Sequence, residues 1–320
     1  MDKSIKYLCC FLLLFTGACK KETSLSLVEK ISFNTKKNCY HLSFLDENIG
    51  FLSGGSRYDF GFLAKTTDGG KTWSNPDSVA GSASYANWFF SPAEGYISAF
   101  NNEILYTQNA GASFTKYNSS LWEPPRQIQF FNRQHGAVTF ANGYGSGGCL
   151  TTHDGGNSWH EKRISNTAPY ALQMLDSTTI LLFGYGMILK STDGGDSFQI
   201  KKLQGDFYRA AHFFDAQNGL VVGYQGEIIQ TKDGGESWSV LKKTNNPFSS
   251  REHFLAVHFN RFQLGFAVGE NGLIYYSKDS GNSWHKISEF TNSALNTVFV
   301  KDDNSAIVAG DNGEVFLIKL

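Results

Sequence analysis

The amino-acid sequence predicts an all-β chain folded as a seven-bladed propeller of four-stranded antiparallel blades, and three observations carry the prediction. Six related octapeptides recur in register: TTDGGKTW ends at Trp73, TQNAGASF at Phe114, THDGGNSW at Trp159, STDGGDSF at Phe198, TKDGGESW at Trp238 and SKDSGNSW at Trp284. Their spacings of 41, 45, 39, 40 and 46 residues are the size of one blade. With 33 glycines, 15% aromatic residues and only six prolines, the composition suits many short strands joined by tight turns.

In chain order, the first element is an export signal: Lys3 and Lys6 precede an apolar run, 7–15, which is followed by Thr16-Gly17-Ala18-Cys19. The run is far shorter than the ~20 residues of a membrane-spanning helix. Its ending resembles a bacterial lipobox, with Thr16 where Leu is usual. That resemblance implies cleavage after residue 18, a diacylglyceryl group on Cys19, a tether over 19–24, and one propeller domain over 25–320 held at the cell envelope, on the periplasmic side or the cell surface. Only Cys39 and Cys149 then remain; the repeat puts them on non-adjacent blades, beyond disulfide reach, so both are expected as buried thiols.

Each unit then repeats one order: an apolar strand such as His212-Phe213-Phe214, a turn, a second strand such as Gly219 to Gly223, a third such as Glu227 to Thr231, the octapeptide, and a fourth strand such as Ser237 to Lys242. The last unit, Leu295 to Leu320, stops after three strands. Leu25 to Phe33 is expected to supply its missing outer strand and close the ring, which removes exposed sheet edges.

Within the octapeptide, a carboxylate can accept backbone N–H bonds across the turn, Gly supplies positive φ, and the Trp or Phe packs back into the blade. Asp68, Asp154, Asp193, Asp233 and Asp279 are therefore read as structural. Asn109 replaces Asp in the second copy, as a hydrogen-bonding role tolerates. The octapeptide resembles the Asp-box of sialidase-like and sortilin-like propellers. The whole unit, best seen from Phe213 to Trp238, resembles the photosystem II assembly-factor type of repeat, which implies a seven-bladed, non-catalytic scaffold that binds a protein partner.

Enzymatic readings find less support in the residues. A sialidase needs an arginine triad, and none of the seven arginines lies in the expected Arg-Ile-Pro context. A glycoside hydrolase of two propellers would need a longer chain, and the carboxylate pair to inspect for such chemistry is Asp206 with Glu252. The net charge of -1 argues against nucleic acid. The eight histidines show no ligand spacing, so neither a metal nor another cofactor is expected. The Gly143 to Gly148 stretch precedes a strand rather than a helix and reads as a turn, not a dinucleotide loop.

A site is expected at one channel mouth of a monomeric propeller. Aligning the inner strands gives a ring of Tyr40, Tyr85, Arg126, Tyr170, Arg209, Phe254 and Leu295, the last two read as packing. The turns between second and third strands share that face and add Arg57, Tyr58, Tyr144, Tyr185 and Tyr224. Arg and Tyr dominate interface hot spots, so this basic, tyrosine-rich patch is the expected protein-binding surface; carbohydrate binding is the alternative.

Overall fold

The computed structural model describes residues 25–143, 145–243, 252–261 and 263–320. Residues 1–24, on which the expected export signal, Cys19 and tether fall, and Tyr144 lie outside them. Strand β1 (Leu27–Lys30) opens the described chain. Four-stranded sheets follow as β2 (Asn38–Phe44), β3 (Gly50–Ser56), β4 (Phe60–Thr66), β5 (Asp77–Ala80), then β6 (Ser84–Phe89), β7 (Gly95–Ala99), β8 (Glu103–Thr107), β9 (Thr115–Asn118). The next comprises β10 (Pro125–Phe130), β11 (Gly136–Asn142), β12 (Ser146–Thr152) and β13 (His160–Ser165). A six-stranded sheet holds β14 (Ala171–Met174), β15 (Ile180–Ser191), β16 (Gln199–Phe213), β17 (Gly219–Gly223), β18 (Ile228–Thr231) and β19 (Ser239–Lys242). Then come β20 (Phe254–Phe259), β21 (Gly265–Gly269), β22 (Ile274–Ser277) and β23 (His285–Ile287), and finally β24 (Leu295–Val300), β25 (Ser305–Gly310) and β26 (Val315–Lys319).

The inner strands β2, β6, β10, β14, β16, β20 and β24 touch in that cyclic order, β24 returning to β2. The fold is a β-propeller, with two departures from the expected uniform units. Strand β15 runs 12 residues and β16 runs 15, each spanning what are two strands in other units. β16 leaves one unit as its outer strand, pairing Lys202 with Met187, and enters the next as its inner strand, pairing Phe213 with Gly219. The continuous backbone through Asp206 fuses two units into one sheet.

Ring closure follows the expected route over a shorter span. β1 pairs antiparallel with β26, Leu27 opposite Lys319 and Lys30 opposite Phe316, completing the order β1-β26-β25-β24.

The sequence signature has a packing cause. Second strands such as β17 (GLVVG), β21 (GFAVG) and β25 (SAIVAG) are buried at every residue because each blade is covered on both faces. In β17 and β21 the first residue is a glycine, which makes room for the aromatic ring ending the inner strand: a Cβ at Gly219 would lie 2.5 Å from the Phe213 ring. The turn between is closed by an aspartate, Asp215 Oδ1 accepting the N–H groups of Gln217 and Asn218, both at 2.7 Å.

The octapeptide hairpins share one hydrogen-bond pattern. In the fifth, the Asp233 carboxylate accepts the Ser237 N–H (2.9 Å) and the Thr231 hydroxyl (2.8 Å), while Thr231 Oγ1 accepts the Gly235 N–H at 2.9 Å. Asp68, Asp154, Asp193 and Asp279 repeat these bonds, and Asn109 Oδ1 accepts the Ser113 N–H and the Thr107 hydroxyl in the same way. The hairpin aromatics also bridge blades: Trp238 meets Phe183 of the preceding unit edge-on at 6.0 Å and Phe213 of its own at 6.3 Å. Cys39 and Cys149 are free, buried thiols, and burial pushes the Cys149 thiol up to about 12.

Candidate functional site at the channel mouth

The inner strands surround a cavity of about 720 Å³ lined in part by Tyr40, Arg57, Tyr85, Arg126, Tyr170 and Arg209. Five of these are the first five members of the expected ring. Four of the five sit where the inner strand bulges: the pairing register skips Tyr40 between Cys39 and His41, Tyr85 between Ser84 and Ala86, Arg126 between Pro125 and Gln127, and Arg209 between Tyr208 and Ala210. A bulge leaves one residue out of the ladder and re-aims its side chain.

The last two ring members are corrected. The register skips Leu255 and Asn296, and these line the cavity, whereas Phe254 and Leu295 are fully buried. In the last two units the polar Asn260 and Lys301 stand where the earlier units have Leu45, Phe90, Phe131, Leu175 and Phe214 before the turn residue, so an alignment that reads them as the turn residue is displaced by one, and one residue in a strand reverses its face. Asp302 makes the turn bonds that Asp46 makes in the first unit, which fixes the true register.

Together these side chains form a ladder of alternating cations and rings. Arg57 lies 5.4 Å from the Phe100 ring, Phe100 meets Tyr85 at 6.1 Å, and Tyr40 meets Tyr85 at 5.0 Å. Arg126 stands between Tyr85 (4.9 Å) and Tyr170 (4.8 Å), and Arg209 packs on the other side of Tyr170 at 4.5 Å. Arg209 also reaches Phe207 (5.3 Å) and Tyr224 (5.9 Å). Arginine suits this stacking because its guanidinium is planar and weakly hydrated. Burial lowers the Arg209 pKa, and hydrogen bonding to Tyr85 raises that of Arg57. Tyr58 is 75% exposed and meets Phe100 at 5.1 Å; Tyr185 is 48% exposed and lies 6.4 Å from Phe207.

Beside the expected basic, tyrosine-rich patch the mouth also carries acidic side chains. Tyr224 stacks on His253 at 4.1 Å and donates its hydroxyl to Glu270 at 2.7 Å. Glu270 and Asp311 occupy, in the last two units, the turn position of Tyr224, and share with Arg209 a second cavity of about 360 Å³. Burial opposes ionisation of Glu270, but hydrogen bonds from Tyr224 and His253 prevail and lower its pKa. The sequence signal was the shared Gly-x-x-Gly turn: Gly223 to Gly226, Gly269 to Gly272 and Gly310 to Gly313.

Asp206 and Glu252 do not form a catalytic pair at the channel. Asp206 is fully buried and accepts the N–H groups of Phe207, Gln225 and Glu227; burial raises its pKa despite these donors. Glu252 accepts the Tyr275 hydroxyl at 2.7 Å and pairs with Lys242 at 2.9 Å. The described residues lining the 720 Å³ cavity include no carboxylate.

Below the ladder, polar side chains tie the inner strands of several neighbouring blades. Gln127 and Gln129 accept the N–H groups of Leu172 and Met174, both at 2.8 Å. Thr297 accepts that of Leu42 (3.0 Å), and Nδ1 of His41, His212 and His258 those of Asn87 (3.5 Å), Phe259 (3.4 Å) and Val300 (3.0 Å). An Nδ1 that accepts is unprotonated, and burial lowers the three histidines to about 4, 4 and 3. Sequence reading had left these histidines without a role.

Comparison with known proteins places this geometry. Residues 206–316, about a third of the chain, match the family model described as photosynthesis system II assembly factor YCF48. No curated protein matches the sequence. A solved structure of YCF48 bound to D1 peptide is 17% identical, with a TM-score of 0.70 over 93% of this chain and 97% of that one. YCF48 from Cyanidioschyzon merolae is 16% identical, with a TM-score of 0.71 over 91% and 98%. The WD40 propeller domain of Doa1 superposes about as well, at 12% identity and a TM-score of 0.69 over 92% and 96%, so at these identities the superpositions speak for the fold alone. The chain is a β-propeller similar to the photosystem II assembly factor YCF48.

Proposed function

We propose that this chain is an exported, lipid-anchored, seven-bladed and non-catalytic scaffold that binds a protein partner through the Tyr/Arg ladder at its channel mouth. The ladder carries the reading: aromatic faces and guanidinium groups alternate from Arg57 to Tyr224 at one mouth, with Tyr58 and Tyr185 exposed beside it. These are the residue types that concentrate binding energy in protein interfaces. Seven inner strands in cyclic contact support the blade count. The YCF48 structure with a D1 peptide supports a polypeptide as the ligand class. Among the described residues, the carboxylates lining the mouth cavities are Glu270, held by Tyr224 and His253, and Asp311, held by Asn296, an engagement that favours a structural role over the free pair that glycoside hydrolysis needs. The anchor rests on the lipobox-like Thr16 to Cys19.

Photo-crosslinking tests the reading. A benzophenone amino acid at Tyr185 should capture a discrete protein in intact cells, while the same probe at Val240, an outer-strand residue equally exposed at 48%, should not. Equal capture at both positions would refute the mouth as the binding face.

A further inference from the structure

The direction of β1 says which face of the ring the anchor leaves from. β26 begins at the mouth turn, where Gly310 to Gly313 carries Asp311, and ends beside the opposite face, Lys319 pairing with Ser305. β1 runs antiparallel to it. Its Leu27 lies against Lys319, while its Lys30 reaches the mouth end, where Nζ meets Glu314 at 2.7 Å. Ser26 donates its N–H to the Lys319 carbonyl at 2.8 Å and its hydroxyl to the Leu320 carbonyl at 3.0 Å. The described chain therefore starts at the face of the octapeptide hairpins, away from the ladder.

Resting on the anchor proposed above, we infer that the propeller stands on its membrane by the octapeptide face. The mouth then opens away from that membrane, and its partner is a water-exposed polypeptide segment rather than a membrane-embedded surface. The reach of the tether argues for it. Residues 19–24, fully extended, span about 20–22 Å. A seven-residue strand such as β3 is about 23 Å tall before its turns are added. A tether that short, leaving from the foot of the last blade, cannot climb the blade and bring the mouth to the bilayer.

The test uses the full-length, acylated protein in vesicles, labelled with a fluorophore at Asn304→Cys on the octapeptide face or at Asp59→Cys on the mouth face, both exposed positions. Flotation reports the anchor: wild type should float and Cys19→Ser should not. A nitroxide-headgroup lipid reports the orientation. The label at 304 should lose most of its emission and the label at 59 should keep its own. Failure of the wild type to float would overturn the anchor, and the inference with it. Flotation with the label at 59 quenched as strongly as that at 304, or more, would leave the anchor standing and overturn the orientation.

Discussion

Replacing Asp233 separates hydrogen-bond geometry from charge, because the chain already contains its own control. Asp233 to Ala removes the acceptor for the Ser237 N–H at 2.9 Å and the Thr231 hydroxyl at 2.8 Å. A hydrogen bond to an ionised group contributes about 1.5–3 kcal/mol where it is buried. Water can replace part of that here, since the Ser237 bonds are solvent-exposed, so the expected loss is about 1–2 kcal/mol. That corresponds to a melting point lower by roughly 2–8 °C. Asp233→Asn should stay within about 0.5 kcal/mol of wild type, a change small on the scale of ordinary surface substitutions. The second hairpin shows how: Asn109 Oδ1 accepts the Ser113 N–H at 2.9 Å, and its amide donates to the Ser113 hydroxyl at 2.8 Å where a carboxylate would accept. Thermal unfolding at pH 7 reads both variants. If Asp233→Asn falls as far as Asp233→Ala, charge rather than geometry holds the turn and the reasoning fails.

Acid should open the ring through its histidines before it reaches the aspartates. His41, His212 and His258 take protons at about 6.5 when unfolded but only near 3 to 4 when folded, so the unfolded state binds more protons in between. Their contribution is complete above about pH 6.5 and is lost as pH falls towards 4, whereas Asp68, Asp154 and Asp233 stay ionised to about 2. His258→Gln, which keeps an acceptor as Gln127 and Gln129 do, should flatten the loss of stability between pH 6.5 and 4; an unchanged profile would show that acid acts elsewhere. Deleting residues 25–33 uncovers β26 and should lower the melting temperature of the whole ring, so an unchanged value would contradict closure by β1. Cys19→Ser should move the protein from the membrane to the soluble fraction or leave it unprocessed, and normal processing of that variant would remove the anchor.

What could be read from sequence depended on whether a residue's role repeats. The octapeptide and the Phe-to-Gly spacing recur because each blade solves the same packing problem, so strand order, hairpin positions and closure by the N-terminal strand were legible. The mouth was legible only where the repeat stayed in phase. Tyr40, Tyr85, Arg126, Tyr170 and Arg209 fall into one column, but Asn260 and Lys301 replace the bulky apolar residue that precedes the turn in the earlier units, so Leu255 and Asn296 are missed by one residue. Glu270 and Asp311 escaped because attention to one residue type hid a shared turn position. The histidine ties could not be read at all. Each joins strands of successive blades more than 40 residues apart, and no local spacing announces such a bond.

The claim that the ladder is a protein-binding surface is tested most directly by changing Arg126 and Arg209 together to Gln and measuring affinity for the protein captured through position 185. Loss of the stacking on Tyr85, Tyr170 and Tyr224 should cost only about 1–2 kcal/mol of stability, leaving the protein folded. Affinity should fall by about 30-fold or more, the equivalent of two kcal/mol expected of hot-spot residues. A folded double variant that binds as tightly as wild type would contradict the account and return the arginines to a packing role.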